Sequence, residues 1–356
     1  MSKWQAFKTK HILLMHAAFT IAVPMAVWLV MEVLNSLICG VHTMNSMVDW
    51  TTLMRNLVSS FCFALGLNCN LPVGRMDTST GSQMYLACII GGNVALSLNL
   101  GGVGVLVFSM LLGMVAGGFT GFLFINLRIL PMVLGLGISL VYECISFSVY
   151  DQQGLSLFGK QGVGILSNKL FIVLVTLLIM AVMTYLFQYS SFGYNRRAIQ
   201  GNQKLANDAG INIYRNALLC YMTAGALVAI AGVFDTAYKS NLVPVLGMNS
   251  NSTVFANMFP MAVGVWLAKK SNPVIGILAG SLSVQFLVLG LAKFTNVGMS
   301  DYLQTCIKYS VWLVFMIYRM NEDKFQFMKD KRARVALAKA TRAKRMACLL
   351  YTSRCV

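Results

Sequence analysis

Few side chains in this sequence have the type and spacing to do chemistry. The nearest thing to a phosphate-cradling loop is Gly154-Leu-Ser-Leu-Phe-Gly159-Lys160, which has the glycine spacing and the lysine of that motif. Gln161 follows it where a Ser or Thr hydroxyl is needed to hold the metal, and no strand-like segment leads into it, so it is read as a chance match. The nine cysteines are scattered singly, Cys62, Cys88, Cys144, Cys220 and Cys306 among them, and none pairs with another at metal-ligand spacing. They read as small apolar packing residues. His11, His16 and His42 cluster near the first apolar run without forming a metal or proton-relay set; His11 and His16 read as interfacial or packing residues. No catalytic residue, cofactor or metal is expected on this chain.

The elements that carry these residues are membrane helices. Of the 356 residues 57% are apolar and only 11% charged, where a soluble chain carries about a quarter charged. The apolar residues fall in runs of about 16 to 23, matching the roughly 20 helical residues that cross roughly 30 Å of hydrocarbon. The period-2 alternation of a barrel strand is missing, and helices satisfy their own backbone groups in lipid. We place about ten spans, near residues 12–34, 53–68, 83–98, 103–124, 130–148, 168–188, 215–237, 252–267, 273–291 and 302–319. The fold class is therefore an all-α polytopic membrane protein. Pro72, Gly74 and Gly81 between Asn68 and Gln83 suggest a broken or re-entrant segment. The first run is too long for a cleavable signal peptide and lacks its small-residue cleavage site.

Lys and Arg accumulate in cytoplasmic loops. With the N-terminus inside, the even-numbered loops hold Arg75, Arg128, the group Arg196, Arg197, Lys204 and Arg215, and the pair Lys269 and Lys270; both tails are basic too. The other side holds only Arg55, Lys160, Lys169, Lys239 and Lys293. The net charge of +17 is thus topology and tail, not a nucleic-acid surface. Ionisable residues at depth are scarce: Glu32 and Glu143 lie toward span ends, Asp235 near an outer end, and Lys308 within the last span. That argues against ion coupling. Gly113, Gly117, Gly118 and Gly121 in the fourth span, with Gly276 and Gly280 in the ninth, have the spacing for close helix packing, and some of them could line a path. Asp77-Thr-Ser-Thr-Gly81 before the third span loosely matches Asn249-Ser-Asn-Ser-Thr253 before the eighth. An offset of five spans would make two inverted five-helix halves.

The long loop after the sixth span reads Phe192-Gly-Tyr-Asn-Arg-Arg-Ala-Ile-Gln-Gly-Asn-Gln-Lys-Leu-Ala-Asn-Asp-Ala-Gly-Ile-Asn-Ile-Tyr-Arg215. Gln203 to Ala209 has the make-up of a short helix that Gly210 can end in a left-handed conformation. The loop resembles that of the permease subunits of bacterial ABC importers of the ribose and branched-chain amino acid type. Gly193, Ala198, Gly201, Asn202, Ala206, Gly210 and Ile211 carry the resemblance, followed by Ala224-Gly225 and Ala231-Gly232. Asp77-Thr-Ser-Thr-Gly81, Arg128-Ile-Leu-Pro131 and Asn272-Pro-Val-Ile-Gly276 extend it over residues 50–320. Lys204, Leu205 and Lys269-Lys270 depart from that family's usual residues. The Gly-Asn form favours its sugar branch.

The resemblance implies a permease domain over residues 1–320 that hydrolyses no ATP itself. Its ATPase-coupling loop would be Gly201, Asn202, Gln203, Lys204, Leu205, Ala206, Asn207, Asp208, Ala209, Gly210 and Ile211, with Ala206 on the docking face. The implied partners are an ABC ATPase subunit, an extracytoplasmic solute-binding protein and a second permease copy or homologue, in the bacterial cytoplasmic membrane with both termini cytoplasmic. The solute would be a monosaccharide or a related compound such as a nucleoside. The alternative is a self-sufficient secondary transporter with inverted repeats. Residues 321–356 form a basic cytoplasmic tail in which Arg332-Ala-Arg-Val-Ala-Leu-Ala-Lys339 suits either a helix on the anionic leaflet or a solvated segment. Cys348 to Val356 fit nothing before them and are given no role.

Overall fold

The structure, a computed structural model, describes residues 12–269, 271–322, 324, 327–328, 330–339 and 341–342. His11, Lys270, residues 348–356 and the side chain of His16 lie outside the described residues. The chain divides into two compact units, Met1–Gly298 and Met299–Val356.

The first unit is a helical bundle. Its helices are α1 (Ile12–Ile38), α2 (Met47–Asn70), α3 (Thr80–Leu86), α4 (Gly92–Ser97), α5 (Gly101–Leu127), α6 (Pro131–Ser148) and α7 (Lys169–Gln188), then α8 (Ser191–Gly201), α9 (Gln203–Asp208), α10 (Ile213–Lys239), α11 (Asn251–Leu267) and α12 (Pro273–Ala292). Two-residue strands, β1 (Leu155–Ser156) and β2 (Asn241–Leu242), pair antiparallel. The second unit contains α13 (Asp301–Met320), and residues 330–339 beyond it are helical and exposed.

Among the described residues seven segments are long and apolar enough to cross a membrane: Ala18–Ile38, Met47–Val73, Gly101–Leu127, Pro131–Ser148, Lys169–Gln188, Ile213–Lys239 and Pro273–Val297. The chain is an all-α polytopic membrane protein. The other three expected spans are helical but fall short of that measure, each for a physical reason. α3 and α4 are joined through a π-helical turn, Ala87–Gly91, and begin at a buried loop. α11 has only 17 residues, and a rise of about 1.5 Å per residue leaves it short of a full crossing. α13 carries Asp301, Gln304, Lys308 and Arg319, and the Lys308 ammonium lies 4.6 Å from the centre of the Tyr309 ring.

Ile21, Leu29, Val33, Leu37, Val115, Phe119, Phe122, Leu174 and Leu178 are exposed. A soluble protein would bury such side chains, whereas lipid solvates them. Lipid offers no hydrophobic drive between helices, so packing must come from close approach. α5 and α10 show how: a Cβ on Gly113 would lie 2.4 Å from the Gly225 carbonyl oxygen, and one on Gly117 would lie 2.2 Å from that of Tyr221. Gly113 and Gly117 of the fourth expected span are thus used for backbone contact, as are Gly276 and Gly280 of α12 against Gly264 of α11, whereas Gly118 and Gly121 make room for the side chains of Met222 and Tyr221. Cys62, Cys69, Cys88 and Cys220 are buried packing residues; Cys144 and Cys306 are exposed, which differs from the packing role expected for them.

Candidate functional site

The loop between α7 and α10 is a pair of short capped helices. The Ser190 hydroxyl accepts from Gly193 N–H at the start of α8. Asn202 breaks the chain with an extended backbone, and its Oδ1 accepts from Leu205 N–H at 3.0 Å to start α9. The end of α9 is equally defined. Gly210 has φ of +82°, its N–H donates to Asn207 O at 2.9 Å, and Ile211 N–H donates to Ala206 O at 3.0 Å. These are the two bonds of a Schellman stop, in which the left-handed residue is almost always glycine.

Burial sorts the residues of the loop. Gly201 to Leu205 and Asn207 to Gly210 are exposed, and Ile211 is half-buried. Leu205 presents an apolar side chain that is 67% exposed on an otherwise polar helix. Ala206 is 4% exposed and packs with Val73 and Ile199. The expectation that Ala206 lies on an outward docking face is therefore corrected: it is the residue that fastens α9 to the bundle, and its small side chain lets the helix approach closely.

A second fastening runs through Arg196, which is buried. Its guanidinium donates to the carbonyl of Cys69 at 3.1 Å and to that of Asn68, and lies 4.8 Å from the centre of the Phe187 ring. The last carbonyls of a helix lack intrahelical donors, and Arg196 supplies them at the end of α2. Burial pushes the Arg196 guanidinium below its ordinary pKa, yet an arginine stays charged at physiological pH. Through Arg196 and Val73, α8 and α9 are tied to the segment that leads from α2 into the break before α3.

That break is the second candidate region, and the paired segments noted in the sequence meet there. Ser79 N–H and Oγ donate to Asp77 Oδ1 at 2.9 and 2.6 Å, and Gln83 Nε2 donates to Ser79 Oγ at 2.8 Å, closing a buried polar knot at the start of α3. Gly81 lies so close to the start of α11 that a Cβ would be 2.2 Å from Ser250 O. One face of α6 serves both starts at successive turns. Gly135 lies under Thr78, Ser139 Oγ is 3.4 Å from both Thr78 O and Asn251 Oδ1, and Glu143 accepts from Met248 N–H at 2.8 Å and Ser250 N–H at 2.9 Å. Glu143 is fully buried. A carboxylate there meets the unpaired N–H groups and positive dipole end of α11. The sequence placed Glu143 merely toward a span end and missed this role; the Ser- and Asn-rich start of a short apolar run was the available signal. The two helix starts meet inside the bundle, where Asn70 lies with Asp77 and Thr80 around a narrow gap, so that amide, hydroxyl, N–H and carboxylate groups form one buried polar layer.

The remaining candidates have structural roles. Gly154 and Gly159 are both left-handed, but β1 between them pairs with β2, and a five-residue 3-10 turn at Val163–Ser167 follows instead of a phosphate-binding helix. His42 Nδ1 is 2.6 Å from Glu32 Oε1, and Asp235 pairs with Lys239 at 2.7 Å.

Comparison with known proteins places these features. The family described as branched-chain amino acid transport system / permease component matches residues 52–318. A galactose/methyl galactoside import permease protein of Haemophilus influenzae is 24% identical over 86% of this chain and 95% of its own. A ribose import permease protein of Escherichia coli is 23% identical over 71% of this chain and 80% of its own. A galactofuranose transporter permease protein of Escherichia coli is 25% identical over 62% of this chain and 60% of its own. No solved structure gives a significant match. With the family match spanning most of the chain, its bundle of apolar helices included, the protein belongs to the branched-chain amino acid transport system permease component family.

Proposed function

We propose that this chain is the membrane-spanning subunit of an ATP-binding cassette importer for a neutral, polyhydroxylated solute, a monosaccharide or a related compound such as a nucleoside. The observation that carries the reading is α9: a short, capped helix that presents Leu205 outward and is fastened by Ala206 to Val73 and Ile199, while Arg196 of the preceding α8 holds the end of α2. Such an element can seat in a groove of a separate ATPase and pass its closure to the break before α3. A binding protein delivers the solute on the opposite side, and a second permease copy or homologue completes the path. The sugar permeases among the relatives favour a sugar-like solute.

On this reading α3–α4, α11 and α13 also cross the membrane, giving ten spans with both termini cytoplasmic. Residues 1–320 are the permease domain, and residues 321–356 are a basic cytoplasmic tail whose 332–339 segment suits either the anionic inner leaflet or solvent. The meeting of Gly81 with Ser250 supports two inverted halves, because broken helices that face each other at mid-depth are how such halves build a site. A self-sufficient secondary transporter is the second reading, favoured by that same geometry. Uptake separates them: we expect it to require ATP and to survive collapse of the proton and sodium gradients, whereas ion-driven uptake by this chain alone in liposomes supports the second reading. Cysteine labelling should reach position 202 only from the cytoplasm and position 152 only from outside. Labelling of both from one side would rule out the ten-span arrangement.

A further inference from the structure

The loop between α6 and α7 and the α9 loop lie at opposite ends of α7, whose 20 residues span about 30 Å. The hairpin in the first of these loops is seated inside the bundle. Leu155 of β1 is fully buried, β1 pairs with β2 just past the end of α10, and Leu157 N–H donates to Ser240 O at 3.0 Å. The root of the hairpin holds α4 at two adjacent residues. A Cβ on Gly92 would lie 2.6 Å from Leu155 Cδ2, and Asn93 Nδ2 donates at 2.8 Å both to Gly154 O and to Ile89 O. Ile89 belongs to the π-helical turn Ala87–Gly91 that joins α3 to α4. Such a turn carries one residue more than an α-helical turn, so releasing that residue shifts the helix beyond it. While the hairpin is seated, Leu155 leaves room only for a glycine beneath it and Asn93 ties the turn to Gly154, so α4 keeps its place.

Two features show a hairpin that is more than a plug. Tyr150, Asp151 and Gln152, which lead into it, have φ of +52°, +51° and +64°, left-handed values that non-glycine residues adopt at a cost. At its tip Phe158 is 82% exposed, between the buried Leu157 and the left-handed Gly159, with the exposed Lys160 beside it. An aromatic ring held outward on a fixed turn is a common interface anchor. We propose that the hairpin is a lever: its tip is the contact for the extracytoplasmic solute-binding protein, and docking there lifts Leu155 from Gly92 and frees α3–α4 to move. The choice of partner rests on the function proposed above, in which that protein arrives at the end of the bundle opposite α9. It would offer an apolar pocket to Phe158 and a carboxylate to Lys160. The movement reaches the buried polar layer directly, because α3 begins at the knot of Asp77, Ser79 and Gln83 and lies against the start of α11.

Root and tip are tested separately. Hydrogen exchange of the full purified chain in nanodiscs needs no partner, so it reads the root whether or not the importer assignment holds. Leu155→Ala and Asn93→Ala should each speed exchange of the amides of residues 87–97 tenfold or more and leave those of residues 203–208 as in the parent. Leu166→Ala removes an equally buried side chain from the same loop, one that lies against Gly102 of α5, and should leave residues 87–97 protected. Unchanged exchange in Leu155→Ala, or equal loosening by Leu166→Ala, overturns the root contact. The tip is read in the chain reconstituted with its ATPase and binding protein. Phe158→Asp should raise the binding-protein concentration for half-maximal ATP hydrolysis tenfold or more at the same maximal rate, and Leu155→Ala should raise hydrolysis without binding protein. An unchanged half-maximal concentration in Phe158→Asp would assign the ring to the lipid headgroups and overturn the docking contact. If the reconstituted parent does not respond to a binding protein at all, the importer reading falls and the docking contact with it, while the exchange result still decides the root.

Discussion

The α9 loop and the paired starts of α3 and α11 are both built from capped helix ends, but they are held in opposite ways. Around α9 the bonds are local: Asn202 reaches Leu205, Gly210 reaches Asn207, and Ile211 reaches Ala206. Nearly all its side chains are exposed, with Ala206 as its buried anchor. At the helix starts the bonds join distant parts of the chain, Ser139 to Thr78 and Asn251, Glu143 to Met248 and Ser250. Water cannot replace those partners, so losing one leaves a buried group unsatisfied. The exposed loop can therefore change and the bundle survive, whereas the buried starts hold the bundle itself.

The largest test of that contrast is Glu143→Ala. It orphans the buried Ser250 N–H and the part-buried Met248 N–H at the start of α11, and charged hydrogen bonds of this kind are worth roughly 1.5–3 kcal/mol each in place. We expect a loss of about 3 kcal/mol of stability, read as a clear fall in the thermal unfolding midpoint of the purified chain. Glu143→Gln keeps one acceptor and should lose less. A Glu143→Ala protein as stable as its parent would mean that the α11 start is not fixed by this carboxylate, and the contrast would collapse.

The same contrast explains what could be read without a structure. The helix Gln203 to Ala209 and its stop at Gly210 were legible because the signals lie within ten residues: a short polar run and a glycine where the left-handed turn falls. The apolar runs were legible because length and composition are enough to mark a membrane helix. The inward position of Ala206 was not, since it depends on Val73, more than a hundred residues earlier. Glu143 was misjudged for the same reason: its partners lie more than a hundred residues along the chain. The break before α3 was visible in Pro72, Gly74 and Gly81, but its contact with Ser250 was only hinted at by the loose match of the two polar segments.

A middle-sized effect should come from the loop itself. Gly210→Val forces a β-branched residue into φ of +82°, a strain of roughly 1–2 kcal/mol or more. Transport and solute-stimulated ATP hydrolysis should fall together while the unfolding midpoint stays put. Leu205→Arg should do the same by removing the exposed apolar tip. Ala206→Arg, by contrast, should release α9 from Val73 and Ile199 and also expose the loop to proteolysis. If Leu205→Arg and Gly210→Val both transport normally with the ATPase still bound, the loop is a connector and the coupling assignment fails.

The smallest effect separates the cap from any direct contact it makes. Asn202 Oδ1 accepts from Leu205 N–H at 3.0 Å, and removing an Asn cap costs about 1 kcal/mol of helix stability. Asn202→Ala should therefore leave the bundle unchanged while the Leu205 amide exchanges with solvent about fivefold faster. Coupling should drop by a similar factor, because α9 would spend less time folded. Asn202→Asp keeps a cap acceptor of nearly the same shape, so it should restore the protection of the Leu205 amide. If coupling returns with it, Asn202 acts only by holding α9 in place. If protection returns and coupling does not, the Asn202 amide itself touches the partner, and the docking surface extends from Leu205 to the helix start. Unchanged exchange in Asn202→Ala would show that Ala206 and the Gly210 stop hold α9 without its cap.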